Sequence, residues 1–165
     1  MNEQEQTRIF DTWISEHQGL MFKVIRAYAF NPHDQEDLFQ DMAIRIWKSI
    51  PAFRGESSVS TWLYRVALFS AIAWSKRERS HRTRTEPIQL EHQQIGIATP
   101  PKDPRLEWLY EQLKRLDEID RSVTLLMLEG WSYLEIAEAL GISASNVGVK
   151  LNRIKKQLST IPYEG

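Results

Sequence analysis

The residues best spaced for chemistry lie between Gly130 and Leu158, in GWSYLEIAEALGISASNVGVKLNRIKKQL. That chemistry is recognition of a polyanion, not bond making. Ser132 and Glu135 stand in the S-x-x-E order of a reciprocal helix cap. Ile136, Ala137 and Leu140 are spaced to face inward, and Ala137 is small enough for close helix approach. Gly141 falls where the chain must turn, and glycine accepts the positive φ that such a turn needs. Ser143 can cap a second helix, in which Val147, Leu151, Ile154 and Leu158 repeat at spacings of four, three and four on a buried face. Two short helices with a tight turn, the second ending in positive charge, form the layout of a helix-turn-helix DNA reader. In that motif the first turns of the second helix enter the major groove. Here they carry Ser143, Ala144, Ser145, Asn146, Gly148 and Val149. Lys150, Arg153, Lys155 and Lys156 follow, placed to neutralise phosphates or, for Lys150, to reach a base edge. The plainer alternative is a helical hairpin with a soluble outer face.

The rest of the chain offers little other chemistry. Its four His residues (17, 33, 81 and 92) lie in different segments without metal-ligand spacing, and there is no phosphate-binding glycine loop or nucleophile motif. No metal, no cofactor and no enzymatic activity are expected. The absence of Cys excludes a disulfide scaffold and fits a reducing compartment. No apolar run is long enough to span a membrane, and the polar start MNEQEQTR lacks a signal-peptide core, so a cytoplasmic location is expected. Net charge is −1, but it is unevenly distributed. Lys76, Arg77, Arg79, Arg82 and Arg84 form a second basic cluster, while acids gather at 34–41 and 117–138.

The elements that must position these residues are helical. The fold class expected is all-α, with two small helical domains joined by a flexible linker: residues 1–82, a linker over 83–104, and residues 105–165. Ile9, Trp13, Ile14, Met21, Val24, Ile25 and Tyr28 suit a first helical region, broken near Gly19 and stopped at Asn31-Pro32. Asp34 is placed to cap a second helix with Phe39, Met42, Ala43, Ile46, Trp47 and Ile50 on its apolar face. FRGESSVS, residues 53–60, reads as a loop. A third helix from about Thr61 carries Trp62, Val66, Phe69 and Ala73 along one stripe. Four prolines and weak periodicity mark 83–105 as the linker; about 20 extended residues reach roughly 65 Å. Leu106, Leu109, Leu113 and Leu116 open the second domain, and Asp117 caps a helix that Gly130 closes.

These segments together resemble the extracytoplasmic-function group of the sigma-70 family of bacterial RNA polymerase initiation factors. HDQEDLFQDMAIRIWKSIPAFRGESSVSTWLYRVA is similar to the family's domain two, and EGWSYLEIAEALGISASNVGVKLNRIKKQL to its domain four. The resemblance implies a bacterial promoter-specificity subunit. Domain two would bind the clamp of core RNA polymerase and the −10 promoter element; domain four would bind the −35 element and the polymerase flap. It also implies an anti-sigma factor as regulatory partner. Carried over residue by residue, Asp37, Gln40 and Asp41 match the polymerase-binding face. Arg54, Ser57, Ser58 and Ser60 match the loop that pockets a flipped base. Arg65, Lys76 and Arg77 would contact the DNA backbone. Two roles are open to Trp62 beside that loop: stacking on an unpaired base, or packing in the core.

Four positions in three places depart from the family pattern. Phe69 and Ala73 stand where Asn and Asp are frequent, which removes polar readers from the third helix and suggests unusual promoter preference. Asp117 replaces a common Pro, and Ala144 an early Glu, so base readout rests on few side chains. The rival reading is a stand-alone helix-turn-helix regulator with an N-terminal sensor or dimerisation module. The Asp37–Gln40–Asp41 face and the FRGESSVSTW loop argue against it, because such a regulator needs neither.

Overall fold

The structure, a computed structural model, describes residues 1–82 and 103–161, with side chains for 1–80 and 103–161. Every regular element among them is helical, and the chain divides into two compact units. The linker expected at 83–104 lies outside the described residues, except for its end. Asp103 there caps a helix that begins at Pro104, whose fixed φ and missing N–H suit a first helical position.

The first unit holds α1 (Glu3–Glu16), α2 (Gln18–Tyr28), α3 (Pro32–Ser49), a 3-10 turn (Ile50–Ala52) and the long α4 (Val59–Arg82). The break expected near Gly19 falls at His17, two residues earlier, and Gly19 is already helical. Asn31, and not Asp34, caps α3. The Asn31 side chain accepts from the Asp34 N–H at 2.8 Å and donates to the Asp34 carboxylate at 2.9 Å. Pro32 then sits in the first turn, as its missing N–H favours.

The core of this unit comes from α2, α3 and α4. Val24, Leu38, Met42, Ile46, Leu63 and Ala67 are each fully buried. Truncating one of the larger of these to Ala costs about 2–5 kcal/mol. Of the stripe expected to bury α4, Trp62, Val66 and Ala73 are only half-buried and Phe69 faces out. The buried arc is Leu63, Tyr64, Ala67, Leu68, Ser70, Ala71, Ile72 and Trp74, while Phe69 is 48% exposed. The reason is that α4 packs against α2 and α3 together. A helix held by two neighbours buries a wide arc, and the stripe that hydrophobicity suggests lies at its margin.

The second unit holds α5 (Pro104–Lys114), α6 (Glu118–Leu128), α7 (Tyr133–Leu140) and α8 (Ala144–Ser159). Here α6 is central, packing against each of the other three. Arg121 on α6 seals the end of α5: its guanidinium donates to the carbonyls of Leu113 (2.9 Å), Lys114 (3.1 Å) and Leu116 (2.8 Å). These include carbonyls that a helix end leaves without partners, and the cation also complements the helix dipole. Of the expected α5 stripe, Leu113 is buried but Leu106 is exposed. As expected, Asp117 caps α6, accepting from the Asp120 N–H at 2.8 Å.

Candidate nucleic-acid interface

The helix-turn-helix forms as its residue types dictate. Ser132 accepts from the Glu135 N–H at 3.1 Å, and the Glu135 carboxylate accepts from the Ser132 N–H at 3.0 Å. The Ser132 backbone N–H foremost, then its side chain, holds the Glu135 carboxyl below the usual carboxylate range. Gly141 adopts φ 71° and ends α7. Ser143 accepts from the Asn146 N–H at 3.0 Å and starts α8. Ile136, Val147, Leu151 and Ile154 are buried. Ser145 and Asn146 lie exposed on the opening turn of α8, with Ala144 and Gly148 half-buried. The backbone at Gly148 is close to Tyr133: a Cβ there would lie 3.5 Å from its ring.

The cations of α8 do not act alike. The Lys150 ammonium lies 3.2 Å from one oxygen of Asp120, and the Arg153 guanidinium 2.7 Å from the other. Asp120 is buried and needs that charge. The Lys150 side chain, 19% exposed, here turns back onto α6 toward Asp120 and not outward as a base-reading cation would. Arg153 is half-exposed and shares the same carboxylate. Lys155 and Lys156 are exposed and have no ion partner among the described residues.

In the first unit, Asp37, Gln40 and Asp41 share one face of α3, with Asp37 and Gln40 exposed. This face borders a cleft of about 350 Å³ lined by Asp37, Asp41, Trp74, Arg77 and Glu78. The Trp74 indole N–H donates to Asp37 at 2.9 Å. Asp41 has Arg77 at 3.1 Å and Arg45 at 3.4 Å, within ion-pair range although neither is aligned as a hydrogen bond. Arg77, expected on DNA, thus pairs within the chain to a residue expected on the polymerase. The Arg77 end of the pair is exposed, whereas the Asp41 oxygen that it faces is buried.

The loop before α4 is organised by Ser58. Its hydroxyl accepts from the Thr61 N–H (3.1 Å), donates to the Thr61 hydroxyl (2.9 Å) and shares a hydrogen bond with Ser60 (3.1 Å). Ser58 therefore starts α4, and Ser57 donates to its carbonyl at 3.2 Å. Arg54 is exposed beside Gly55, whose φ of 73° makes the turn. Of the two roles open to Trp62, the structure displays packing. Its N–H donates to Ser49 at 3.1 Å, and its ring meets Phe53 edge-on at 5.4 Å, which in turn meets Trp13 at 5.2 Å.

Residues 13–81 match sigma-70 region 2, and residues 106–158 match sigma-70 region 4. RNA polymerase sigma factor YlaC of Bacillus subtilis is 33% identical over 129 residues, covering 74% of each chain. The chain belongs to the sigma-70 family, in its extracytoplasmic-function branch. The ECF RNA polymerase sigma-E factor of Haemophilus influenzae is 25% identical over 94% of this chain and 88% of its own. Among solved structures, RpoE of Bartonella quintana, bound to the anti-sigma factor NepR, is 18% identical with a TM-score of 0.65, over 88% of this chain and 93% of that one. CnrH, in complex with the cytosolic domain of CnrY, is 22% identical with a TM-score of 0.63, over 93% and 87%. These two likenesses concern the fold.

As a sigma factor the protein is a transcription initiation factor and not an enzyme; it works with core RNA polymerase on promoter DNA. Sequence reasoning missed two residues that matter to these faces. Ile44 is 55% exposed on α3, one turn beyond Gln40. Its signal was available: an Ile between polar residues on the face opposite Leu38, Met42 and Ile46. Asp120 was the other. An acid on a helix as apolar as α6 demands a cation, though spacing alone does not say which.

Proposed function

We propose the following division of labour within this sigma factor. The α3 face of Asp37, Gln40 and Asp41, extended by Ile44, binds the polymerase clamp. The loop with Arg54, Ser57, Ser58 and Ser60, with Arg65 and Lys76 on α4, engages the −10 element. The opening turns of α8 read the −35 element, and Lys155 and Lys156 hold its phosphates. The observation that carries the reading is exposure: Asp37 and Gln40 on α3, Arg65 and Lys76 on α4, and Ser145, Asn146, Lys155 and Lys156 on α8 stand in solvent on helices whose other faces form the core. Asp37 and Gln40 are exposed, Asp37 accepting only the Trp74 indole N–H, and such polar exposure fits a partner surface. The family further supports an anti-sigma factor as regulator. The protein then operates in the bacterial cytoplasm, where core polymerase and DNA are; no helix among the described residues is long and apolar enough to cross a membrane.

The test is co-purification with core polymerase. Asp37→Arg or Gln40→Ala should abolish or sharply weaken capture while leaving the helical circular dichroism spectrum unchanged. Tight dimeric binding to a palindrome without polymerase, indifferent to both substitutions, would sink the assignment in favour of a stand-alone regulator.

A further inference from the structure

Asp120 is a buried acid on α6 whose two partners both come from α8. It lies in the first turn of α6, where the helix dipole favours a carboxylate, and is 6% exposed. Its backbone is held on both sides: the N–H donates to Asp117 and the carbonyl accepts from the Thr124 hydroxyl, each at 2.8 Å. A buried carboxylate forked between cations is often no more stable than an apolar residue of similar size. The presence of Asp120 therefore points beyond stability. Its two partners end differently. The Lys150 side chain is largely covered, whereas that of Arg153 is half-exposed. A guanidinium carries five N–H donors in one plane. Asp120 engages Nη2 at 2.7 Å, and the other donors of Arg153 have no partner among the described residues. Arg153 follows Val149 by four residues and Asn146 by seven, and both are exposed, so the three share one flank of α8.

Lys155 and Lys156, with no such anchor, can follow a phosphate wherever it lies. Arg153 has its plane fixed in advance. A fixed planar fork gains little on a phosphate, whose oxygens accept from many sides. It gains most on two acceptors set in one direction, and in the major groove that pair is O6 and N7 of guanine. Ordering the side chain before contact also removes part of the entropy cost of binding. Lys150 is the counterweight: with it, one acid and two cations remain net positive, so the carboxylate does not repel the duplex. We propose that Asp120 is a positioning residue for promoter recognition, orienting Arg153 so that its free edge reads a guanine of the −35 element. This rests on the assignment of α8 to that element and deepens it.

The experiment uses holoenzyme formed from core RNA polymerase and the full chain. Its probe is a library of promoter-length DNA duplexes of randomised sequence, from which bound duplexes are recovered and sequenced below the melting temperature of every variant. Wild-type holoenzyme should enrich guanine at a position of the −35 element. Arg153→Lys keeps the charge but loses the planar fork, and should lose that preference by on the order of tenfold while sparing other positions. Asp120→Asn should lose it at the same position, and the double variant should lose no more there, since both changes act on one contact. Asp120→Glu keeps a carboxylate for both cations but lengthens the arm, so it tests positioning even where Asp120→Asn fails to fold; it should weaken the same preference. A merely structural acid behaves differently, because lost stability scales enrichment at every position alike. Such a uniform loss would overturn the proposal, as would a guanine preference unchanged in Asp120→Glu or a foldable Asp120→Asn. An even loss across positions in Arg153→Lys would mark a phosphate contact and overturn it too. Failure of wild-type holoenzyme to select any −35 sequence would instead bring down the α8 assignment itself, and this proposal with it.

Discussion

Asp120 decides what two of the α8 cations can do. A buried carboxylate is tolerated only with paired charge, and Lys150 and Arg153 supply it at 3.2 and 2.7 Å. Lys155 and Lys156, exposed nearby, are the cations available for the phosphate contacts proposed above. The two groups therefore separate in a salt titration of promoter binding by holoenzyme. Each phosphate contact adds about 0.9 to the slope of log affinity against log salt. Lys155→Ala and Lys156→Ala should each flatten that slope by up to this amount and leave the thermal midpoint unchanged. Lys150→Ala should do the reverse, keeping the slope and losing about 1–3 kcal/mol of stability, because Asp120 then keeps a single cation. Differential scanning calorimetry reads that loss as a drop of several degrees, since about 1 kcal/mol moves a domain this small by roughly 4–8 °C. An equal flattening of slope by Lys150→Ala would place its ammonium on DNA instead.

Short-range signals made the elements legible. Ser132–Glu135, Gly141, Ser143 and Asp117 each act through groups three or four residues away, so spacing alone locates these caps and turns, while the Asp103 cap of α5 and the Arg121 seal at its end are not among them. What spacing could not say was how many neighbours a helix has. Hydrophobicity does not separate the half-buried margin of α4, with Trp62, Val66 and Ala73 and the exposed Phe69, from the equally apolar residues at the centre of its buried arc. In the same way, the charge of Lys150 was visible but its partner thirty positions earlier was not. The S-x-x-E cap yields a prediction that belongs to α7 alone. The Glu135 carboxyl is held below its ordinary value, so its contribution is fully present above the unfolded carboxylate's pKa. It is lost as pH falls through the depressed folded value. Wild type should therefore exceed Glu135→Gln in thermal midpoint at neutral pH, and the gap should close in acid. Ser132→Ala, which removes the hydroxyl cap, should cost about 0.5–2 kcal/mol at neutral pH. A Glu135→Gln deficit that persists unchanged into acid would exclude the carboxylate as the cause.

At the scale of the whole molecule, each unit buries its own apolar residues. Val24, Leu38, Met42, Ile46 and Leu63 fill the first; Leu113, Val123, Leu126, Ile136, Val147, Leu151 and Ile154 fill the second. Cutting the chain near Gln94 should leave two halves that each show helical circular dichroism and a cooperative melt. The second should melt at the lower temperature, since a domain of roughly 60 residues buries only about 60% of the surface its unfolded chain exposes. Two unfolded halves would refute the two-domain organisation. Folded halves make a stronger test possible, because covalent connection then contributes affinity and not stability. If region 2 and region 4 hold polymerase and promoter at separate places, each raises the local concentration of the other through the chain that joins them. Mixing the halves should restore every individual contact and still bind promoter with core polymerase about 10²–10⁴-fold more weakly than the intact chain. Raising the concentration of the region 4 half should recover that loss progressively. Mixed halves as potent as the intact protein at equal concentration would mean that one unit carries the binding alone, and that bipartite attachment is not how this sigma factor holds a promoter.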